Sequence, residues 1–215
     1  MTSHTPPPPS ATASHYPIGP LALQAHPATP GPAGLSVSVR LSVGNSAVAP
    51  SLLLEYHLQG PLEQLRLPAP QPPGMADGLW QHTCLEAFVS TVGETAYREF
   101  NFSPSGQWAA YRFSGERLRD AAAEATGTLP SLQVRCRSDA HKLWLAVELP
   151  ASALPLNSAT ALQIGLSAVL EDQQGQLSYW ALQHPTAGPD FHHRSGFSLR
   201  APHPFSPTPA RASTA

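Results

Sequence analysis

Glu86 is the residue whose setting asks most of chemistry. It lies within Cys84-Leu85-Glu86-Ala87-Phe88, so a carboxylate is carried into an otherwise apolar run. Burying such a group is costly unless a cation or hydrogen-bond donors meet it. Arg112 is the natural partner, because a guanidinium can grip a carboxylate through two parallel hydrogen bonds. Three roles are then open to Glu86: half of a structural ion pair, an acceptor for ligand hydroxyls, or an acid in catalysis. Trp80, Trp108 and Trp180 could supply flat surfaces beside it. A sugar ring offers apolar C–H faces to an indole and hydroxyls to Glu, Asn, Gln or Arg, so a sugar site mixes these residue types. Each of these indoles can equally be core, and Trp144, between Leu143 and Leu145, reads as packing. Asn101 is either a polar contact for the same ligand or an amide supporting a strand edge. Asp190, His192 and His193 suggest a rim over a sheet, with one imidazole bonded to Glu86 or to a ligand. They do not suggest a metal site, since adjacent strand residues point to opposite faces and no further ligands stand at useful spacing.

The element that must position several of these groups is Tyr97 to Phe113, YREFNFSPSGQWAAYRF, which reads as two strands about a tight turn. Ser103-Pro104-Ser105-Gly106 has the Pro and Gly placement of a type I turn closed by a bulge. Pairing Ser103 with Gly106 sets Asn101 opposite Trp108, Glu99 opposite Ala110 and Tyr97 opposite Arg112. Phe100, Phe102, Ala109, Tyr111 and Phe113 then form a core face. Tyr97, Glu99, Asn101, Trp108 and Arg112 form the other. A slip of one residue would bring Arg98 against Arg112, and like charges opposed across strands repel.

Other strands punctuate the chain. Leu35 to Val43 alternates apolar and polar residues, Leu52 to Leu58 does so less strictly, and Leu62 to Leu67 is a shorter candidate. Leu79 to Val92 is apolar on both faces, as a central sandwich strand would be. Leu118 to Thr128 reads as a loop or a single helical turn. Leu132 to Arg137 pairs with Lys142 to Leu149, Leu162 to Leu170 turns into Leu177 to Leu182, and Ser198 and Leu199 close the set. Short strands with regular turn signals and no helical periodicity predict an all-β, antiparallel, jelly-roll-like sandwich.

Composition bounds the rest. The chain has 215 residues, 12% of them charged, with a formal net charge of −2. No basic stripe points to nucleic acid, and no apolar window approaches a membrane-spanning length. Its 25 prolines crowd the ends. Residues 1–34 are therefore expected to be a largely disordered Pro-rich arm, 35–200 the domain, and 201–215 a disordered tail. With no secretory leader at the start of the sequence, Cys84 and Cys136 are read as free thiols of a cytoplasmic protein. No Gly-x-Ser-x-Gly elbow and no Gly-rich phosphate loop occur. A glycosidase needs two opposed carboxylates; Glu86 and Glu99 are candidates, with Glu99 expected instead beside Arg112.

Several motifs together carry a family resemblance. Leu79-Trp80-Gln81-His82-Thr83-Cys84-Leu85-Glu86-Ala87-Phe88 and Phe100-Asn101-Phe102-Ser103-Pro104-Ser105-Gly106 resemble the Trp-and-acid strand and the following hairpin of family 9 carbohydrate-binding modules. Tyr179-Trp180 and Pro189-Asp190-Phe191-His192-His193 complete a pattern similar to that of bacterial DOMON-like proteins. The resemblance spans Leu35 to Leu199. It implies a β-sandwich with one curved sheet that binds sugar or haem. Met75 lies in the Pro-rich loop and Met1 is the start, so no haem, and no other cofactor, is expected. The expected function is that of a non-catalytic module for a carbohydrate or similar small polar ligand, bound on a concave sheet face. Trp80, Glu86, Asn101, Trp108, Arg112 and Trp180 would bind, with Asp190, His192 and His193 at the rim. The alternatives are a module holding another protein through its sheet or Pro-rich arm, and an enzyme using Glu86 as acid or base.

Overall fold

The alternating segments become strands, and the turn-rich segments between them become short connections. The structure is a computed structural model that describes residues 15–44, 49–127, 131–155 and 160–204. Among these residues the strands in chain order are β1 (His15–Ala25), β2 (Ser36–Gly44), β3 (Ser51–Gln59), β4 (Gly74–Met75), β5 (Cys84–Thr91), β6 (Tyr97–Phe102) and β7 (Gln107–Gly115). They continue as β8 (Leu118–Arg119), β9 (Val134–Ser138), β10 (Lys142–Pro150), β11 (Leu162–Glu171), β12 (Leu177–Ala181) and β13 (Leu199–Ala201). A single α-helix among the described residues, α1 (Ala121–Thr126), begins where Asp120 caps the Ala123 N–H.

One layer runs β1-β2-β3-β10-β9 and the other β4-β7-β6-β5-β11-β12, with β13 beside β11. Neighbours pair antiparallel except β4 with β7. Between the layers lie Leu41, Leu54 and Leu145 from the first and Leu85, Phe100, Phe102 and Leu166 from the second. The Tyr56 hydroxyl crosses this core to donate to the Glu86 backbone carbonyl at 2.6 Å, which ties β3 to β5. A second aromatic cluster of Phe88, Tyr97, Tyr111, Phe113 and Phe197 covers the outer face of the second sheet. Strand β5 is thus buried on both sides along its whole length. This is the sandwich the sequence predicts.

The hairpin register differs from the expectation. The Gly106 N–H donates to the Ser103 carbonyl at 3.0 Å, and the Ser103 N–H donates to the Gln107 carbonyl at 2.9 Å. Gly106, with φ +94°, is therefore the extra residue of a bulge, and Ser103 faces Gln107 instead. The pairs become Phe102 with Trp108, Asn101 with Ala109, Glu99 with Tyr111 and Arg98 with Arg112. Trp108 joins Phe100 and Phe102 on the core side, while Tyr111 and Phe113 turn outward. The like charges do meet. The Arg98 guanidinium is held by the carbonyls of Ser152 and Ala153, and burial followed by the Arg112 charge lowers its pKa to about 10. Turn geometry and the burial of Trp108 outweigh that repulsion.

The other departures are local. Leu62–Gln64 and Leu79–Gln81 are single 3₁₀ turns and not strand. Within the arm expected to be disordered, β1 is a strand that pairs with β2 and, at Gln24 and Ala25, with β12. Its prolines hid it. Pro20 sits where the register breaks between Ile18 and Leu21, beside Gly19 at φ +106°, so the ladder loses little there. Leu23 then packs into the core. Ala201 ends β13, so the expected tail starts inside the fold, and residues 1–14 and 205–215 lie outside the described residues. Cys84 is buried, Cys136 half-buried, and both are free. No helix among the described residues is long and apolar enough to cross a membrane.

Because β1 joins both layers, deleting residues 1–25 exposes an edge of β2 and of β12. We expect the melting midpoint to fall by roughly 10 °C or more, at about 2–4 °C per kcal/mol for a chain of this size. Calorimetry that finds an unchanged midpoint would show β1 to be dispensable.

Candidate functional site

Strands β7, β6, β5 and β11 lie side by side, so residues in register form rows across the outer face. One row is Ala109, Asn101, Glu86 and Ser167; the next is Tyr111, Glu99, Phe88 and Gly165. Glu86 and Glu99 therefore rise from adjacent strands on one face, diagonal to each other. Gly165 leaves the sheet low enough for the Phe197 ring, since a Cβ there would stand 3.0 Å from Phe197 Cδ1.

Two loops wall this floor. The first carries Trp80 on its 3₁₀ turn and is anchored by the Tyr111 hydroxyl, which donates to Asp77 Oδ1. The second, residues 189–197, is pinned to the sheet by the Arg194 guanidinium, which donates to Ser90 Oγ at 2.8 Å and to the Glu94 carbonyl at 3.0 Å. The enclosed cavity holds about 350 Å³. Glu86, Glu99 and Phe88 line its depth, Tyr111, Phe113, Tyr179, Phe191 and His192 its sides, and Trp80, 50% exposed, its mouth.

The polar groups of the floor are linked. Ser167 Oγ donates to Glu86 Oε2 at 3.3 Å, and Asn101 Nδ2 donates to Glu99 Oε1 at 2.7 Å. Asn101 Oδ1 is buried without a partner. The Tyr97 hydroxyl oxygen accepts the Arg117 N–H at 3.1 Å, so its own proton goes to His192 Nδ1 at 2.7 Å. The His192 ring proton then sits on Nε2, 3.7 Å from Glu99 Oε2. Burial, with the Arg117 charge adding to it, lowers the His192 pKa to about 4, so the imidazole is neutral near pH 7. Asp190 Oδ1 braces the loop by accepting from Arg117 Nη2 at 2.7 Å and the His192 N–H at 3.0 Å.

Among the described residues no cation is bonded to either carboxylate. Burial, reinforced by the neighbouring Glu99, pushes the Glu86 carboxyl well above its ordinary range. Burial likewise raises Glu99 from 4.5 to about 7. The expected Glu86–Arg112 pair does not form, because the observed register puts Arg112 on the core side, where its Nε has no partner. Trp108 and Trp180 also lie on the core side. Trp108 packs with Phe102, and Trp180 pairs with Ala168 and donates from Nε1 to Ser178 Oγ at 3.0 Å. The structure thus brings Trp80, Glu86 and His192 to one cavity, sets Asn101 beneath it and Asp190 behind it, and leaves Trp108, Arg112 and Trp180 elsewhere. His193 caps the Arg194–Gly196 turn by accepting the Ser195 N–H. The expected register sets Tyr111 and Phe113 on the core face and Glu99 beside Arg112; counting Gly106 as a bulge residue turns Tyr111 and Phe113 outward, where they join Glu99, which the pairing of β5 with β6 sets beside Glu86.

No family model matches the chain, and no curated protein does. Among solved structures it is similar to a protein from Bacteroides uniformis provisionally named as carbohydrate-binding, with 16% identity over 85% of this chain and 83% of that one, and a TM-score of 0.56. It is also similar to a family 9 carbohydrate-binding module from Caldicellulosiruptor kristjanssonii in complex with cellotriose, with 9% identity over 77% of this chain and 74% of that one, and a TM-score of 0.50. At such identities the likeness is one of fold. The chain has the β-sandwich architecture of those modules, the one the sequence resemblance implies.

The raised carboxyls give stability a pH dependence. Between pH 4.5 and about 7 folded Glu99 keeps a proton that the unfolded chain releases, so its contribution to stability is lost as pH rises. His192 acts in the opposite sense, favouring the fold as pH rises from about 4 to 6.5. Comparing wild type with Glu99→Gln isolates the first effect. From pH 4.5 to 8, urea unfolding should show wild type losing about 3 kcal/mol relative to the variant, at 1.36 kcal/mol per pKa unit. A difference that is flat with pH would mean Glu99 ionises freely.

Proposed function

We propose that this chain is a non-catalytic carbohydrate-binding module whose ligand enters the cavity under Trp80. The observation that carries the reading is a half-exposed indole at the mouth of a cavity floored by a buried carboxylate, Glu86. A half-exposed indole beside a cleft offers a flat apolar surface that the face of a ligand can cover. The pyranose ring stacks on Trp80, and its hydroxyls donate to Glu86 and Glu99.

A hydrolytic role fits less well. Carboxylates that cleave a glycosidic bond flank it from opposite sides. Glu86 and Glu99 stand on neighbouring strands of a single sheet face, so they meet a ligand from the same side.

Tryptophan fluorescence titrated with glucose, cellobiose and other mono- and disaccharides tests the reading. Binding should quench emission. Trp80→Ala should weaken it at least tenfold, or about 1.4 kcal/mol. Trp108→Phe and Trp180→Phe should leave Kd within a factor of about two, as distant sites do. A Trp80→Ala variant that binds as tightly as wild type removes the cavity from consideration, and a panel in which no sugar binds removes the function.

A further inference from the structure

The floor of the cavity holds more acid than a neutral ligand requires. A sugar hydroxyl needs an acceptor, and a single carboxylate beside a neutral amide would provide it. Here Glu86 and Glu99 share one sheet face, and both are at least nine-tenths buried. Burying two acids together is unfavourable unless they hold protons or a cation meets them. None comes from the described residues of the protein. Two arginines line the cavity but bond to other carboxylates: Arg117 to Asp190 at 2.7 Å, and Arg119 to Glu124 at 3.0 Å. Their charges reach Glu99 only through space. His192 is neutral and 3.7 Å from Glu99. Asn101 Oδ1, in the same cross-strand row as Glu86, is a third buried acceptor with no donor.

The walls point the same way. Phe88, Phe113, Tyr179 and Phe191 surround the acids, with Trp80 above, while the Tyr111 ring already carries the Arg119 guanidinium at 4.4 Å. Ring faces attract a cation, and an aromatic enclosure with a carboxylate inside is the surface chemistry that recognises an organic ammonium group.

We infer that the ligand of this site carries a protonated amine, as an amino sugar does, with the ammonium group at the Glu86–Glu99 floor and the ring against Trp80. The ligand supplies the countercharge and the donors that the protein withholds. This inference rests on the sugar-binding reading above and narrows its ligand class.

Calorimetry at pH 7 on the full chain should compare glucosamine, glucose and N-acetylglucosamine. Glucose lacks the nitrogen, and N-acetylglucosamine keeps it without charge. Glucosamine should bind at least tenfold tighter than either. In Glu86→Gln and Glu99→Gln the ratio of glucosamine to glucose affinity should fall toward one, with melting curves confirming that the variants fold. If they do not fold, the three sugars on wild type decide alone. Neutral sugars that bind as tightly as glucosamine overturn the inference and leave the sugar site standing. A ratio that survives both substitutions overturns it too. No binding by any of the three overturns it as well, and the wider sugar panel then decides the sugar reading separately.

Discussion

The register of one hairpin governs what the cavity contains. Gly106 adds a single residue to the turn, and because strand side chains alternate with a period of two, that residue decides the side of every neighbour in β7. With it, Trp108 enters the core and Tyr111 and Phe113 line the cavity. They join Glu99, which the pairing of β5 with β6 already sets on the face of Glu86. Without that extra residue, Arg112 would stand on that face and could neutralise Glu86. The acids are set side by side by the pairing of β5 with β6, and turn geometry decides that no arginine of β7 joins them, while Phe100, Phe102 and Trp108 pack against the opposing sheet behind.

Both acids are held by their neighbours. Glu86 occupies a central strand hydrogen-bonded on both sides, and its own carbonyl receives the Tyr56 hydroxyl from across the sandwich. Glu99 is held by Asn101, and its other oxygen faces a histidine whose tautomer is dictated by Tyr97. Titratable groups pushed from their ordinary pKa inside a cleft are a common mark of a working surface. Here the displacement, the cavity and the exposed indole coincide.

Much of the fold was legible because alternation is a local signal. Strands β2 and β3 follow directly from it, whereas the doubly buried β5 was legible as a run apolar on both faces. The hairpin's existence was legible from Pro104 and Gly106, but its register depended on counting the bulge residue, and like-charge repulsion between Arg98 and Arg112 argued for the wrong count. The repulsion was real and small beside the burial of an indole. Strand β1 was illegible because Pro17 and Pro20 argue against a ladder, and only the partner strands reveal where the missing donors do no harm. Of the site, Glu86 announced itself by being charged in an apolar run. Glu99 did not, since its surroundings are set by strands distant in sequence.

The tryptophans show why composition alone could not locate the cavity. Trp80, Trp108 and Trp180 are equivalent as residue types, yet Trp108 and Trp180 face the core and support the sheet from behind. Trp80 lies on a turn instead of a strand, which frees its ring from the alternation that buries the other two. Its position depends on the loop anchored by Asp77 to Tyr111, and Tyr111 is itself placed by the bulge at Gly106. One turn residue therefore couples the cavity's depth to its mouth. The same shift that denies Glu86 its arginine provides the tether that holds an indole over it.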